Sequence, residues 1–338
     1  MTPQRNIDGA GGAPPQTGGA PLPLIGAHIG TAGGLAHVPE RALAIGAEVV
    51  QIFNTNARMW RTQMRTPAEV TTLTKGLERH QLPLFFHSIY LINLAATDVA
   101  LRERSISALC DALVLGAVTG AAGVVTHVGA RHQQSFQEAA RCVSSAVDEV
   151  ISQATDRLRR RDLPVAQSDD ARLPERLLAD ATLPHLLLET SAGSGSSVGA
   201  RLEELAEIVS RVEGPCGICL DTAHMFAAGY PVHTDQGLGR VVEELTLSGL
   251  LPLVGLIHLN DSKTDLGSLS DRHENLGDGR LGTTGLGHVV RHPAFRQVPF
   301  VLEVPGMEKT GPDLINVQRA KSMRRGPEAP PAPPAPPA

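Results

Sequence analysis

The chain has 338 residues, 35 Asp and Glu against 30 Lys and Arg, a formal net charge of -5 and a hydrophobic fraction of 42%. That is long enough for one large α/β domain or two small ones, and four cysteines are too few for a disulfide scaffold. No run approaches the ~18 to 20 unbroken apolar residues of a membrane span, and the start lacks the pattern of a secretion signal, so a cytoplasmic protein without a membrane partner is expected. The acidic surplus means that any nucleic-acid partner must meet positive charge from another source, such as bound metal.

In chain order, residues 1–23 are crowded with Gly, Pro and Ala without an apolar period, and a disordered start is expected. Short apolar, β-branched runs then alternate with stretches of helical character. Strands are expected over 22–28 (LPLIGAH), 48–54 (EVVQIFN), 82–88 (LPLFFHS), 123–129 (GVVTHVG), 185–190 (HLLLET), 217–222 (GICLDT), 253–261 (LVGLIHLND) and 299–304 (PFVLEV). Helices are expected over 99–118, 136–157, 201–212 and 237–248; in LEELAEIVSRV the apolar positions recur at three and four residues, as one buried face requires. Strands buried on both faces and alternating with helices build a parallel sheet. Eight such units in a row predict a closed (β/α)8 TIM barrel, one α/β domain over 24–324. No GxGxxG follows the first strand, which weighs against a dinucleotide-binding sheet. Residues 157–183 are polar, charged and broken by Pro, and read as an excursion on the barrel exterior. From 325 the chain runs into a Pro/Ala stretch, expected as a disordered, extended tail. Cys216 and Cys219 form a CxxC inside an expected strand, where an odd offset sends the side chains to opposite faces; two buried thiols are expected, not a metal or redox pair.

The informative pattern is where ionisable residues fall. His87 ends the third strand, His127 the fourth, Glu189 the fifth, Asp221 the sixth, His258 the seventh and Glu303 the eighth. His224 follows Asp221 by three residues, and Asp271 and His273 lie in the loop after the seventh strand. In a parallel barrel all strand C-termini open onto one face. A lone strand-end His is more often a hydrogen-bonded loop residue, and a lone strand-end Asp more often a helix N-cap. Six consecutive strands ending this way point instead to a site. Four carboxylates crowded together repel unless cations lie between them. Imidazole and carboxylate donors without thiolate suit zinc, manganese or iron, and nine donors exceed what one zinc takes. Three divalent ions, at about +6, would outweigh four carboxylates and provide the positive field that a phosphodiester needs. Metal clusters of this kind hydrolyse phosphate esters.

At this point the blocks resemble a known family. LPLIGAHIGTAGGL, QIFNTNARMW, FFHSIYLINLA, VVTHVGA, LLLETSAGSG, ICLDTAHMFAAGYPV, LIHLNDSKTDLGSLSDRHENLGDGRLG and FVLEVPG are similar, in this order, to the blocks of endonuclease IV, over about residues 24–306. The resemblance implies a TIM barrel with three Zn2+ ions, one site being open to Mn2+. It implies hydrolysis of double-stranded DNA 5′ to abasic sites, leaving a 3′ hydroxyl, with trimming of blocked 3′ ends, by a monomer acting at the nucleoid. It implies a first metal on His87, His127 and Glu189, a second on Glu189, Asp221, His258 and Glu303, and a third on His224, Asp271 and His273. Glu189, Asp221 and Glu303 are the residues assigned to catalysis. Arg58, Tyr90 and Leu91 match the positions that contact DNA and fill the gap left by the flipped nucleotide. Trp60 and Phe226 read as packing residues. Two departures stand out: Val-Gly-Ala after His127, expected to leave that loop less rigid, and Met59 after Arg58, where a polar residue is common.

Two other readings remain open on the residues. A single-metal sugar isomerase or epimerase needs only Glu189, Asp221, His258 and Glu303, and leaves the other five donors without a joint task. A non-catalytic DNA-binding barrel has no need for the full set.

Overall fold

The computed structural model describes residues 22–166, 168 and 171–326. The expectations for the Gly/Pro-rich start and the Pro/Ala tail therefore fall, except at their inner edges, outside the described residues. Eight parallel strands close a barrel: β1 (Ile25–His28), β2 (Val50–Phe53), β3 (Leu84–His87), β4 (Gly123–His127), β5 (His185–Glu189), β6 (Cys216–Asp221), β7 (Val254–His258) and β10 (Phe300–Leu302). Each lies inside its expected run, except that β6 starts one residue earlier, and the expected runs over-reach by up to three residues at an end. Neighbours in sequence are neighbours in space, and β1 closes the barrel by pairing with both β2 and β10. A two-stranded antiparallel hairpin, β8 (Asp261–Ser262) with β9 (His273–Glu274), rises from the loop after β7.

The helices are α1 (Val38–Ala44), α2 (Pro67–His80), α3 (Val99–Thr119), α4 (Phe136–Arg159), α5 (Glu175–Ala179), α6 (Leu202–Arg211), α7 (Thr222–Ala227), α8 (Asp235–Leu247), α9 (Gly282–Arg291) and α10 (Leu314–Arg325). Local sequence starts several of them. Thr66 with Glu69, and Ser135 with Glu138, form capping boxes that satisfy otherwise orphaned amides at the first turns of α2 and α4. The last helix runs through Arg325, so the tail starts later than expected. Arg324 donates to Glu48 and to the carbonyl of Pro23, tying α10 to the entry of β1.

Two buried layers follow from the period of two along each strand. One set of apolar side chains packs outward against the helices. The other, Val49, Phe85, Val125, Leu187, Cys219, Leu256 and Val301, fills the barrel interior. Cys216 belongs to the outer layer and Cys219 to the inner, and both thiols are free and buried. The CxxC is therefore a packing feature.

The 157–183 excursion is more ordered than its composition suggests. It contains α5, buries Leu163, Val165, Leu173 and Leu177, and pairs in parallel with the loop after β2 through Arg65 and Val165. The Arg65 amide donates to Pro164 at 3.1 Å and the Ala166 amide to Arg65 at 2.8 Å. An apolar residue every few positions in a charged stretch was the only signal, and it is too sparse to read as an element. No helix among the described residues is long and apolar enough to cross a membrane.

Candidate metal centre

The interior ring explains how the functional side chains come to one place. Two residues beyond each of Phe85, Val125, Leu187, Cys219, Leu256 and Val301 stand His87, His127, Glu189, Asp221, His258 and Glu303. A step of two keeps the side chain on the inner face and moves it up one layer, about 6.6 Å, to the C-terminal mouth. The sequence places each donor on its strand end; closure of the sheet brings them together.

Around Glu189 the arrangement is tight. His87 Nε2 and His127 Nε2 each lie 3.1 Å from Glu189 Oε2, while His258 Nδ1 lies 3.0 Å from Glu189 Oε1. His258 Nδ1 is also 3.2 Å from Glu303 Oε2 and 3.8 Å from Asp221 Oδ2. Asp221 Oδ2 is 3.7 Å from His273 Nε2, and Asp271 stands 3.3 Å from both His224 Nε2 and His273 Nε2. Three sets of donors each gather within 4.8 Å: His87, His127 and Glu189; Glu189, Asp221, His258 and Glu303; and Asp221, His224 and His273. The first two are the expected groupings. In the third Asp221 joins the two histidines from below, and the half-exposed Asp271 closes the set from the solvent side.

Asp221 is at once a donor and the N-cap of α7, accepting from the His224 amide at 2.8 Å. The bland reading of a strand-end Asp, a helix N-cap, is correct here. The cap sets His224 on the first turn of α7, pointing back to the mouth. His87 and His224 use Nδ1 to reach the carbonyls of Ser88 and Thr190, both at 2.8 Å, leaving Nε2 for the centre. The buried Nε2 atoms of His224 and His273 make no hydrogen bond. A buried nitrogen with no hydrogen-bond partner beside carboxylates suits a metal bond, so the donor set fits divalent ions.

The electrostatics agree. Burial would raise the Glu189 carboxyl, but His127 and His258, with hydrogen bonds from His127 and His224, hold it well below the usual range. Glu303, buried as well, is held low chiefly by His258, and Asp271, against its histidines, falls to about 2. Burial lowers His224 and His258, yet both stand well above the ordinary imidazole value. Asp221, Asp271 and Glu189 raise His224. For His258 the Cys219 thiol is one neighbour, but burial pushes that thiol up to about 12 and it is neutral near pH 7, so Glu303 and Glu189 carry the effect.

Around the centre, Asn260 donates to Asp221 Oδ2 at 2.6 Å and accepts from the Glu303 amide at 2.8 Å. Asp261 accepts amide hydrogens from Gly277, Gly279, Leu281 and Gly282, which fixes the loop beyond the β8–β9 hairpin and hence the hairpin that carries His273. Sequence reasoning missed three inward residues, His28, Gln51 and Asn260. His28 ends β1 by the same rule that found the others, and Gln51 stands two residues beyond Val49; the strand-end rule, applied from the third strand, passed over both.

The rim residues sit as follows. Arg58 and Met59 are exposed on the loop after β2, and the Tyr90 amide ties the next loop to it by donating to Ala57 at 2.9 Å. Tyr90 is half-exposed, its ring edge-on to Phe53, His87 and His127. Leu91 is half-buried against the core, as is Trp60, which Arg104 covers at 5.3 Å. Phe226 is buried beside His233. The loop after His127 is not loose: Gly129 takes φ +109°, Asn93 accepts from the Ala130 amide and donates to its carbonyl, and Gly129 O accepts from Val198.

A family described as xylose isomerase-like TIM barrel matches residues 39–328. A protein of Nitratidesulfovibrio vulgaris named probable endonuclease 4 is 35% identical over 292 residues, 84% of this chain and 93% of the relative. The chain belongs to the endonuclease IV family. The crystal structure of endonuclease IV from Thermus thermophilus superimposes with a TM-score of 0.74 at 34% identity, covering 90% of this chain and 99% of that one. A 3-keto-D-glucoside 4-epimerase of E. coli, at 12% identity and a TM-score of 0.59 over 89% of this chain and 98% of its own, shares the barrel alone. Endonuclease IV membership thus rests on sequence, and the epimerase likeness on fold.

Proposed function

We propose that this endonuclease IV chain is a zinc-dependent abasic-site endonuclease, a hydrolase cutting the phosphodiester 5′ to the missing base and leaving a 3′ hydroxyl. The observation that carries the reading is the meeting of three donor sets at one mouth, joined by Glu189 and Asp221 and containing two buried imidazole nitrogens without a hydrogen-bond partner. A single-metal epimerase uses one such set and has no task for His87, His127, His224, Asp271 and His273.

The first metal takes His87, His127 and Glu189; the second takes Glu189, Asp221, His258 and Glu303; the third takes His224, Asp271 and His273, with Asp221 at its edge. Zinc is the preferred ion, and the all-imidazole and carboxylate donors leave one site open to manganese. Bound metal supplies an activated water near neutral pH and neutralises charge at the phosphate. Glu189, Asp221 and Glu303 hold that charge in place from below. Tyr90 covers the His87–His127 side, where an aromatic ring excludes water from the reacting phosphate. Arg58, on the exposed loop after β2, and Leu91 line the rim that meets the duplex at the flipped-out abasic nucleotide. Flipping costs a few kcal/mol and least where the base is already missing, which favours damaged sites.

The test is a duplex carrying one tetrahydrofuran abasic analogue, incubated with zinc-loaded protein, with the cut ends mapped. This analogue cannot undergo β-elimination. A single cut 5′ to it, leaving a 3′ hydroxyl, is expected. An intact duplex with metal bound would overturn the reading, and aldose and ketose substrates would be tried next.

A further inference from the structure

We propose that Gln51 is a positioning residue for the second donor set, fixing which nitrogen of His258 and which oxygen of Glu303 face the metal. The inference rests on the multi-metal reading above. Val49 belongs to the interior ring, and the residue two beyond it, Gln51, holds on β2 the place that ligands hold on six other strands. Its side chain is fully buried among those ligands. An amide there needs partners for its donors and its acceptor.

It finds all of them. Gln51 Nε2 lies 2.6 Å from Glu303 Oε1 and 3.0 Å from His28 Nδ1, and Gln51 Oε1 lies 2.9 Å from His258 Nε2. The directions follow from chemistry. An ionised carboxylate only accepts, so the amide nitrogen faces Glu303 and the amide oxygen faces His258. An amide oxygen also only accepts, so His258 Nε2 carries the hydrogen. The remaining lone pair is on Nδ1, the atom that points at Glu189 and Glu303. Glu303 Oε1 is taken by the amide, which leaves Oε2, 3.2 Å from His258 Nδ1, for the ion. His28 accepts the second amide hydrogen and opposes a flip of the side chain. His87, His224 and His273 instead direct Nδ1 to backbone carbonyls and present Nε2. His258 is the one of these four whose tautomer depends on a side chain, so a single substitution can release it.

The experiment is a zinc titration against a competing chelator for wild type, Gln51→Leu and Gln51→Glu, with kcat and KM on the abasic duplex in parallel. Glutamate matches the size of glutamine and still accepts from His258, but puts a carboxylate where Glu303 needs a donor. Both variants are expected to loosen one zinc equivalent by about 10–100-fold while the others titrate as in wild type. kcat should fall while KM for DNA stays within about twofold, since the rim is untouched. Wild-type zinc affinity in both variants overturns the proposal, as does loss of every equivalent in both. If Gln51→Leu alone loses its circular dichroism signal, Gln51→Glu decides: one loosened equivalent supports the assignment and an unchanged titration overturns it. The wild-type control separates the two levels: zinc uptake without incision breaks the endonuclease reading and leaves this one standing, and no uptake removes both.

Discussion

At Glu189 two donor sets share one carboxylate, with Oε2 facing His87 and His127 and Oε1 facing His258. On the proposed three-zinc reading, Glu189→Ala should empty two of the three sites and abolish incision while the barrel still folds, as metal analysis and circular dichroism would register. Full activity in that variant would contradict a shared ligand. The same residue scale sets a pH dependence for the metal-free protein. His127, His224 and His258 are raised in the fold, so their contribution is complete below the unfolded value of ~6.5 and is lost as pH rises through the raised values. Glu189, Glu303 and Asp271 are depressed, so theirs is present above ~4 and lost as pH falls. The chelator-treated protein should melt highest between about pH 4.5 and 6.5. Zinc should shift that maximum upward, because imidazoles must be neutral to bind it. A zinc-loaded profile with its maximum still in the acid window would count against these histidines as ligands.

At the scale of elements, the rim loops depend on unusual supports. A Cβ on Gly129 would collide with the Asn93 side chain, and the backbone there is left-handed. Gly129→Ala should lower stability by about 1–3 kcal/mol and misplace His127, read as a lower melting temperature with weakened zinc binding. The excursion after α4 is a second support. Its Ala166 amide holds Arg65, and Thr62 on the same loop donates to Asp111, which Arg157 of α4 also engages. That loop carries Arg58. Ala166→Pro, which removes the hydrogen bond, should raise KM for abasic duplex several-fold with kcat nearly unchanged. A lowered kcat at constant KM would place the excursion's influence at the metals instead.

Across the whole molecule, the donor cluster forms only when the barrel closes. The donors come from strands far apart in sequence, Glu303 and Gln51 being separated by 252 positions, so the centre exists only when β1 has paired with both β2 and β10. Metal that binds the folded state alone stabilises by about 4 kcal/mol at a thousand times its dissociation constant, and chelation should lower the melting temperature accordingly. Deleting the Pro/Ala tail, residues 327–338, should leave incision unchanged. A large loss of DNA affinity on that deletion would assign the tail a binding role.

The eight strands, four of the helices and the six residues at strand ends were legible in the sequence because each depends on a local rule: period two for a strand, period 3.6 for a helix, and a strand's end for a side chain at the mouth. The Cys216–Cys219 pair could be read as packing for the same reason. Gln51 was not, although it obeys the register, because an amide within an apolar run has no chemistry until its neighbours are known. The order within 157–183 was hidden too, since Val165 finds its partner on Arg65, a hundred residues away in the chain. The third donor set's lower edge was likewise a tertiary result: Asp221 comes within reach of both His258 and His273 only once β6 has paired with β7, whose register shifts between Ile218 and Cys219. Sequence by itself determined which side chains face the mouth, because alternation along a strand is a property of the chain. Only the closed barrel decided which of them meet and at which atom, because distances between strands are set by register and curvature, which no single strand contains.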